Sequence, residues 1–210
     1  PTSPGAELTV TQSTSGQGQI IFDDNGGAGS ALSGLTSTTT LIAGTDGFMA
    51  VNGHNNTAEI SSTGPSVMLQ TRGPIGSSAD PIQFADNANT AQQNVILGAS
   101  TVQATTAHID GLGILTLGNV NGSRANTTLT VTARNDLVVA PGAVVNTGSG
   151  TISLGADLTP VGTGDDGVGT LTISGGANII TTNTSAGAIT LRGADVDIDT
   201  RSNPAVIGQL

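Results

Sequence analysis

The sequence predicts an all-β chain, and within that class a right-handed parallel β-helix: a three-sided solenoid with roughly 20 residues per rung. Three observations carry this: a composition hostile to helices, a strict two-residue alternation of aliphatic side chains, and a recurrence of that alternation along the chain. Gly (31), Thr (32), Ser (18) and Asn (15) make up 96 of the 210 residues. All four lose free energy in a helix interior, so a helical bundle and a doubly wound α/β enzyme are both excluded. A flexible linker is excluded too, because hydrophobic residues reach 36% and mean hydropathy is +0.10.

The alternation is read directly. Leu8-Thr9-Val10, Val67-Met68-Leu69, Ile82-Gln83-Phe84, Leu115-Thr116-Leu117, Leu129-Thr130-Val131, Ile152-Ser153-Leu154, Leu171-Thr172-Ile173 and Ile189-Thr190-Leu191 each put two apolar side chains on one face of a strand. In the second half the pattern starts at 115, 129, 152, 171 and 189, at intervals of 14, 23, 19 and 18 residues. Between 129 and 152 lie two further apolar stations, Leu137/Val139 and Val144/Val145. Corners fall at Arg134-Asn135-Asp136, Pro141-Gly142 and Asn146-Thr147-Gly148. Three short strands with no helix between them describe a three-sided coil. A β-sandwich would want longer strands, hairpin turns and a large aromatic core residue. This chain has no Trp or Tyr and only three Phe.

The expected core is Leu129, Val131, Leu137, Val139, Ile152, Leu154, Leu171, Ile173, Ile189, Leu191, Val196 and Ile198, with their Thr, Asn and Asp neighbours outward. Residues 23–60 fit the pattern less cleanly, with Asp23-Asp24-Asn25-Gly26-Gly27 and Gly53-His54-Asn55-Asn56 read as turns or excursions. No composition shift divides the chain, so 1–210 is one domain, a rod of about ten rungs and roughly 45–50 Å at about 4.8 Å per rung. One rung cannot bury its own apolar edges and depends on its neighbours.

Charge and motifs set the functional expectations. Fifteen acidic residues against five arginines give a net charge of −10, which repels a phosphate backbone and an anionic membrane surface. No apolar run reaches the roughly 18 residues of a membrane span, and no signal peptide is visible. The chain opens at Pro1, as a processed chain or a piece of a longer one would. With no cysteine there are no disulfides or thiolate metal sites.

Gly162-Thr163-Gly164-Asp165-Asp166-Gly167 fits GxGxxG but is followed by a strand pattern and carries two carboxylates where a phosphate would sit, so it reads as a turn. With Val161 in place of the first glycine it also misses a calcium-binding nonapeptide, which requires tandem copies. His54 and His108 lack metal-ligand spacing, no GxSxG elbow occurs, and a lysine-free chain has no Walker lysine. Asp195, Asp197 and Asp199 alternate with Val196 and Ile198 on one outer face, at about 6.6 Å intervals. They read as a solvated face helped by Arg192 and Arg201, with shared calcium as the competing reading. The sequons at Asn55, Asn121, Asn126 and Asn183 are what this composition yields by chance. No catalytic, cofactor-binding or metal residue is assigned.

The stretches Leu129–Ala133 through Gly150–Ala156, Leu171–Ile180 and Ile189–Val196 resemble the β-helical repeats of large secreted surface proteins, the filamentous-haemagglutinin-like adhesins and autotransporter passengers. The shared cadence is aliphatic-Thr-aliphatic, Gly-Ala or Gly-Gly-Ala, Asp or Asn, then aliphatics. It covers residues 112–200 well and the first half loosely. The resemblance implies a secreted or cell-surface structural or adhesive role and no catalytic residues.

The favoured expectation is an extracellular structural subunit that assembles with itself head to tail into a fibre or layer. Residues 1–11 and 204–210 are expected to serve as assembly or capping segments, because neither reads as a polar or helical cap. The runner-up is an adhesin segment binding a glycan or receptor on one face. A polysaccharide lyase or hydrolase comes last: it would need an aromatic floor and basic groups that a chain without Tyr, Trp or Lys supplies poorly.

Overall fold

The computed structural model describes residues 8–11, 16–24, 29–51, 53–86, 94–99, 101–159, 161–201 and 203–209. Among them there are twenty strands and no helix. A first pass of the chain carries β1 (Leu8–Thr11), β2 (Gln19–Asp23) and β3 (Leu32–Leu35), and a second carries β4 (Thr39–Ile42), β5 (Gly47–Val51) and β6 (Ile60–Ser62). Three two-strand passes follow: β7 (Ser66–Gln70) with β8 (Ile82–Phe84), β9 (Asn94–Leu97) with β10 (Thr106–Gly111), and β11 (Leu115–Asn121) with β12 (Thr128–Ala133). Next come β13 (Leu137–Val139), β14 (Val144–Asn146) and β15 (Ile152–Gly155), then β16 (Thr170–Ile173), β17 (Asn178–Thr181) and β18 (Ile189–Arg192). β19 (Asp195–Ile198) and β20 (Val206–Gln209) are last.

Each strand pairs in parallel with strands of the neighbouring passes. One ladder runs β1-β4-β7-β9-β11-β13-β16-β19, with β14, β17 and β20 forming a branch beside it. A second runs β18-β15-β12-β10-β8-β6-β3. The separate β2-β5 pair reaches the second ladder through single bridges from Phe48 to Ile75 and from Ile75 to Ala107. Parallel neighbours need a long return of chain between them, and these passes supply it.

Register corrects the expected repeat. Val67 lies opposite Val95, Leu115 opposite Leu137 and Leu137 opposite Leu171, so the chain returns after 28, 22 and 34 residues rather than about 20. The motifs at 115 and 129 belong to different ladders of one pass, as do those at 171 and 189. Only the interval from 129 to 152 measures a return, since Leu129 is opposite Ile152.

The alternation itself sets the core. Leu129, Val131, Leu137, Val139, Ile152, Leu154, Leu171 and Ile173 are fully buried, each stacked on its counterpart in the next pass. All three phenylalanines are buried, and the rings of Phe22 and Phe48 stack 6.1 Å apart. Ile189 and Leu191 are only half-buried, and Val196 and Ile198 are exposed, at 45% and 37%. Val196 and Ile198 lie opposite Leu171 and Ile173 of the preceding pass, and among the described residues no strand follows them in the ladder.

Corners are closed by buried threonines whose hydroxyls bond the backbone of the preceding pass. Thr71 Oγ1 donates to the Gly44 carbonyl (2.6 Å), Thr127 Oγ1 to that of Ala104 (2.5 Å), and Thr181 Oγ1 to those of Gly148 and Gly150 (both 2.8 Å). Each bond satisfies a carbonyl of the preceding pass where the ladder turns. At Gly47 the backbone is left-handed, with φ of 76°, and a side chain would collide with the Pro74 carbonyl of the next pass.

Candidate functional site

The first candidate is the surface presented by β18, β19 and β20. Among the described residues each of these strands is paired on one side only, so each presents unused backbone donors and acceptors on the other. The core-facing side chains of that edge are apolar: Val196 and Ile198 are exposed, and Ile189, Leu191, Ala205 and Ile207 are partly buried against the core, while Val206 lies in the outward row of Val144 and Asn178. A groove of about 440 Å³ opens there between Leu158, Leu191, Arg192 and Val196. One strand earlier in the ladder, Leu171 and Ile173 are fully covered. The opposite end of the long ladder is β1, whose Leu8 and Val10 occupy the register positions of Thr39 and Leu41. Residues 1–7 and 210 lie outside the described residues.

Three aspartates lie along this edge. Asp195 and Asp197 lie on β19 in register with Thr170 and Thr172, whereas Asp199 follows the strand. Its Oδ1 accepts the Arg201 N–H at 2.9 Å and lies 3.6 Å from the Arg201 guanidinium. Among the described residues no group of three or more His, Asp or Glu could hold a metal ion.

The glycine-rich motif is a loop pinned by a carboxylate of the chain. Asp157, at a left-handed φ of 54°, accepts the N–H groups of Asp166 and Gly167 on Oδ1, both at 3.0 Å, and that of Asp165 on its carbonyl. These N–H groups outweigh what desolvation the carboxyl suffers and hold Asp157 below the usual carboxylate range. The donors that would cradle a phosphate are thereby occupied. The sequon asparagines also do local work: Asn55 Oδ1 accepts from Thr57, Asn126 Oδ1 from Ser149 and Asn183 Oδ1 from Ser185, while the Asn121 amide donates to the Gly98 carbonyl.

A second cluster had no motif to announce it. β8, β10 and β12 place Gln83, Asp110 and Thr132 opposite one another on the side away from the core. Glu59, one residue before Ile60 of β6, extends the row, since Ile60 lies opposite Phe84. These are outward positions, yet Glu59, Gln83 and Asp110 are fully buried and Thr132 is 6% exposed. The segment between β5 and β6 is tied down beside them: the Asn55 amide donates to Asp24, and Arg134 donates to Asn56 Oδ1 at 2.6 Å.

Within the row, Glu59 Oε2 accepts the Gln83 backbone N–H at 2.5 Å. The Gln83 side-chain amide donates to Asp110 Oδ2 at 2.9 Å, and Thr132 Oγ1 donates to Asp110 Oδ1 at 2.8 Å. Arg134 stands 3.8 Å from Asp110. Burial pushes Glu59 up to about 7, against two backbone N–H groups and helped by Asp24 and Asp110. Burial also raises Asp110, opposed by Gln83, Thr132, Arg134 and His54. On the same strand, burial lowers His108. Two carboxyls with raised pKa values are a familiar acid–base pairing, but here neither is open to a solute. Only the register, unknown to the sequence, brings Glu59, Gln83 and Asp110 together.

No family model matches the chain, and neither a curated protein nor a solved structure matches it.

Proposed function

We propose that the chain is a single right-handed, three-sided parallel β-helix that serves as a self-assembling structural subunit of an extracellular fibre or surface layer. One observation carries the reading: the open edge of β18–β20, where Val196 and Ile198 lie exposed above unused strand edges. An apolar face framed by parallel ladder edges is a template for further parallel strands. A second copy offers them, because its Leu8-Thr9-Val10 strand repeats the alternation of β19 and would set Thr9 rather than a second acid beside Asp197. The extracellular setting rests on the repeat cadence of residues 129–156 and 171–196. Electron microscopy of the purified chain over a range of concentrations tests the reading. Rods that lengthen with concentration support it; isolated rods of one length at every concentration contradict it.

The adhesin reading has its own observation. His108, Thr130, Ser153 and Thr190 stand in register across β10, β12, β15 and β18, half-buried, as a row of polar groups. Such a row suits the hydroxyls of a glycan. Glycan binding lost on Thr130→Lys, with melting unchanged, would favour this reading.

A further inference from the structure

The row Glu59–Gln83–Asp110 contains two buried acceptors with no donor. Glu59 Oε1 and Gln83 Oε1 are both out of contact with solvent and make no hydrogen bond. Leaving one such atom unpaired costs about 1–3 kcal/mol, and more if the group is charged. The paired donors of the row serve other acceptors, and Arg134 Nε is a third buried atom without a partner among the described residues. The Gln83 amide nitrogen serves Asp110, the Gln83 N–H serves Glu59 Oε2, and Arg134 reaches Asn56 and Asp110. Both Asp110 oxygens accept from neutral donors, which suits an ionised carboxylate. Asp24 from the segment after β2 and Asp110 from β10 bear on Glu59, while Arg134 after β12 and His54 in the β5–β6 segment act on Asp110, and His108 lies two residues before it on β10. Asp24 and Asp110 oppose a negative charge on Glu59.

One proton resolves both orphans. We propose that this row is a buried proton-binding site, in which Glu59 is held protonated and its Oε1–H is donated to Gln83 Oε1, locking the 53–58 segment over the ladder. Loss of that proton adds a carboxylate charge that Asp24 and Asp110 oppose and leaves both acceptors without a donor, so the segment must open to let water in. The upward shift of Glu59 fixes the direction. The folded chain holds a proton that the unfolded chain releases above about 4.5, the ordinary value. Stability from this group is therefore complete below that pH and is lost as pH rises through about 7.

Glu59→Gln tests the site, because glutamine is the isostere of the protonated acid: its oxygen accepts from the Gln83 N–H and its amide donates to Gln83 Oε1. Thermal melting of the full chain and of E59Q is followed from pH 5 to 9. The two should melt together at pH 5, with the wild type falling behind by on the order of 5 °C above pH 8. In the wild type, hydrogen exchange at residues 53–59 should accelerate over the same interval. An infrared carboxylic-acid band at pH 6 should be present in the wild type and absent from E59Q. A melting difference that does not change with pH, an E59Q chain that fails to fold at pH 5, or a wild type without that band overturns the proposal. So does a wild type whose melting falls on chelation with EGTA, since a cation would then hold the two oxygens.

Discussion

Leu154 and Ile198 belong to the same alternating pattern and differ only in what lies above them. Leu154 has no exposure and is stacked between Val131 and Leu191. Leu154→Ala should therefore cost about 2–5 kcal/mol in denaturant unfolding, the loss expected of a filled core site. Ile198, 37% exposed with one covered side, should lose under about 1 kcal/mol on the same change in the isolated chain. Asp157 gives the residue scale its electrostatic case. Its carboxyl is held below the ordinary value of 3.8 by the loop N–H groups, so its contribution is present above that value and is lost as pH falls through the lowered one. Asp157→Ala should expose residues 161–168 to limited proteolysis at neutral pH while β15 and β16 stay protected. Cleavage no faster than in the wild type would show that the loop does not depend on this carboxylate.

Strands and corners were not equally legible. Period-2 alternation is a local property, so Leu129-Thr130-Val131 or Leu171-Thr172-Ile173 declares its strand from three residues. The length of a pass is not local. It depends on whether a corner is a tight turn, as at Gly142, or an excursion such as 161–168, and both are written in Gly, Asp and Thr. Motif spacing therefore ran together two ladders of one pass. The corner threonines could not be singled out, for a related reason. Thr181 resembles the outward Thr172 in sequence, and only the stacking of passes brings its hydroxyl to the Gly148 and Gly150 carbonyls. Thr181→Val keeps the shape, removes the donor and should cost about 1–3 kcal/mol by denaturant unfolding, as a buried bond lost with its carbonyl partners left behind. The Glu59–Gln83–Asp110 row was beyond reading, since its members are 24 and 27 residues apart. The one sequence signal was a polar residue flanked by large apolar ones in Ile82-Gln83-Phe84.

For the whole molecule, parallel ladders distribute stability unevenly. Central passes are covered on both sides, as Leu129, Ile152 and Leu137 show, while the final pass is covered on one. Each pass depends on its neighbours, so a repeat stack is weakest where it lacks one. The exposed aliphatics of β19 thus link the packing account to the proposed assembly: what leaves that edge weak in isolation is what would join it to another copy. Sedimentation of the intact chain beside a Val196→Asp/Ile198→Asp variant over a wide concentration range tests this most directly. The intact chain should sediment faster as its concentration rises, while the variant, altered only at side chains already exposed, remains a monomer with its melting close to that of the wild type. An intact chain that stays monomeric throughout, or a variant that assembles as well as the wild type, would contradict the account.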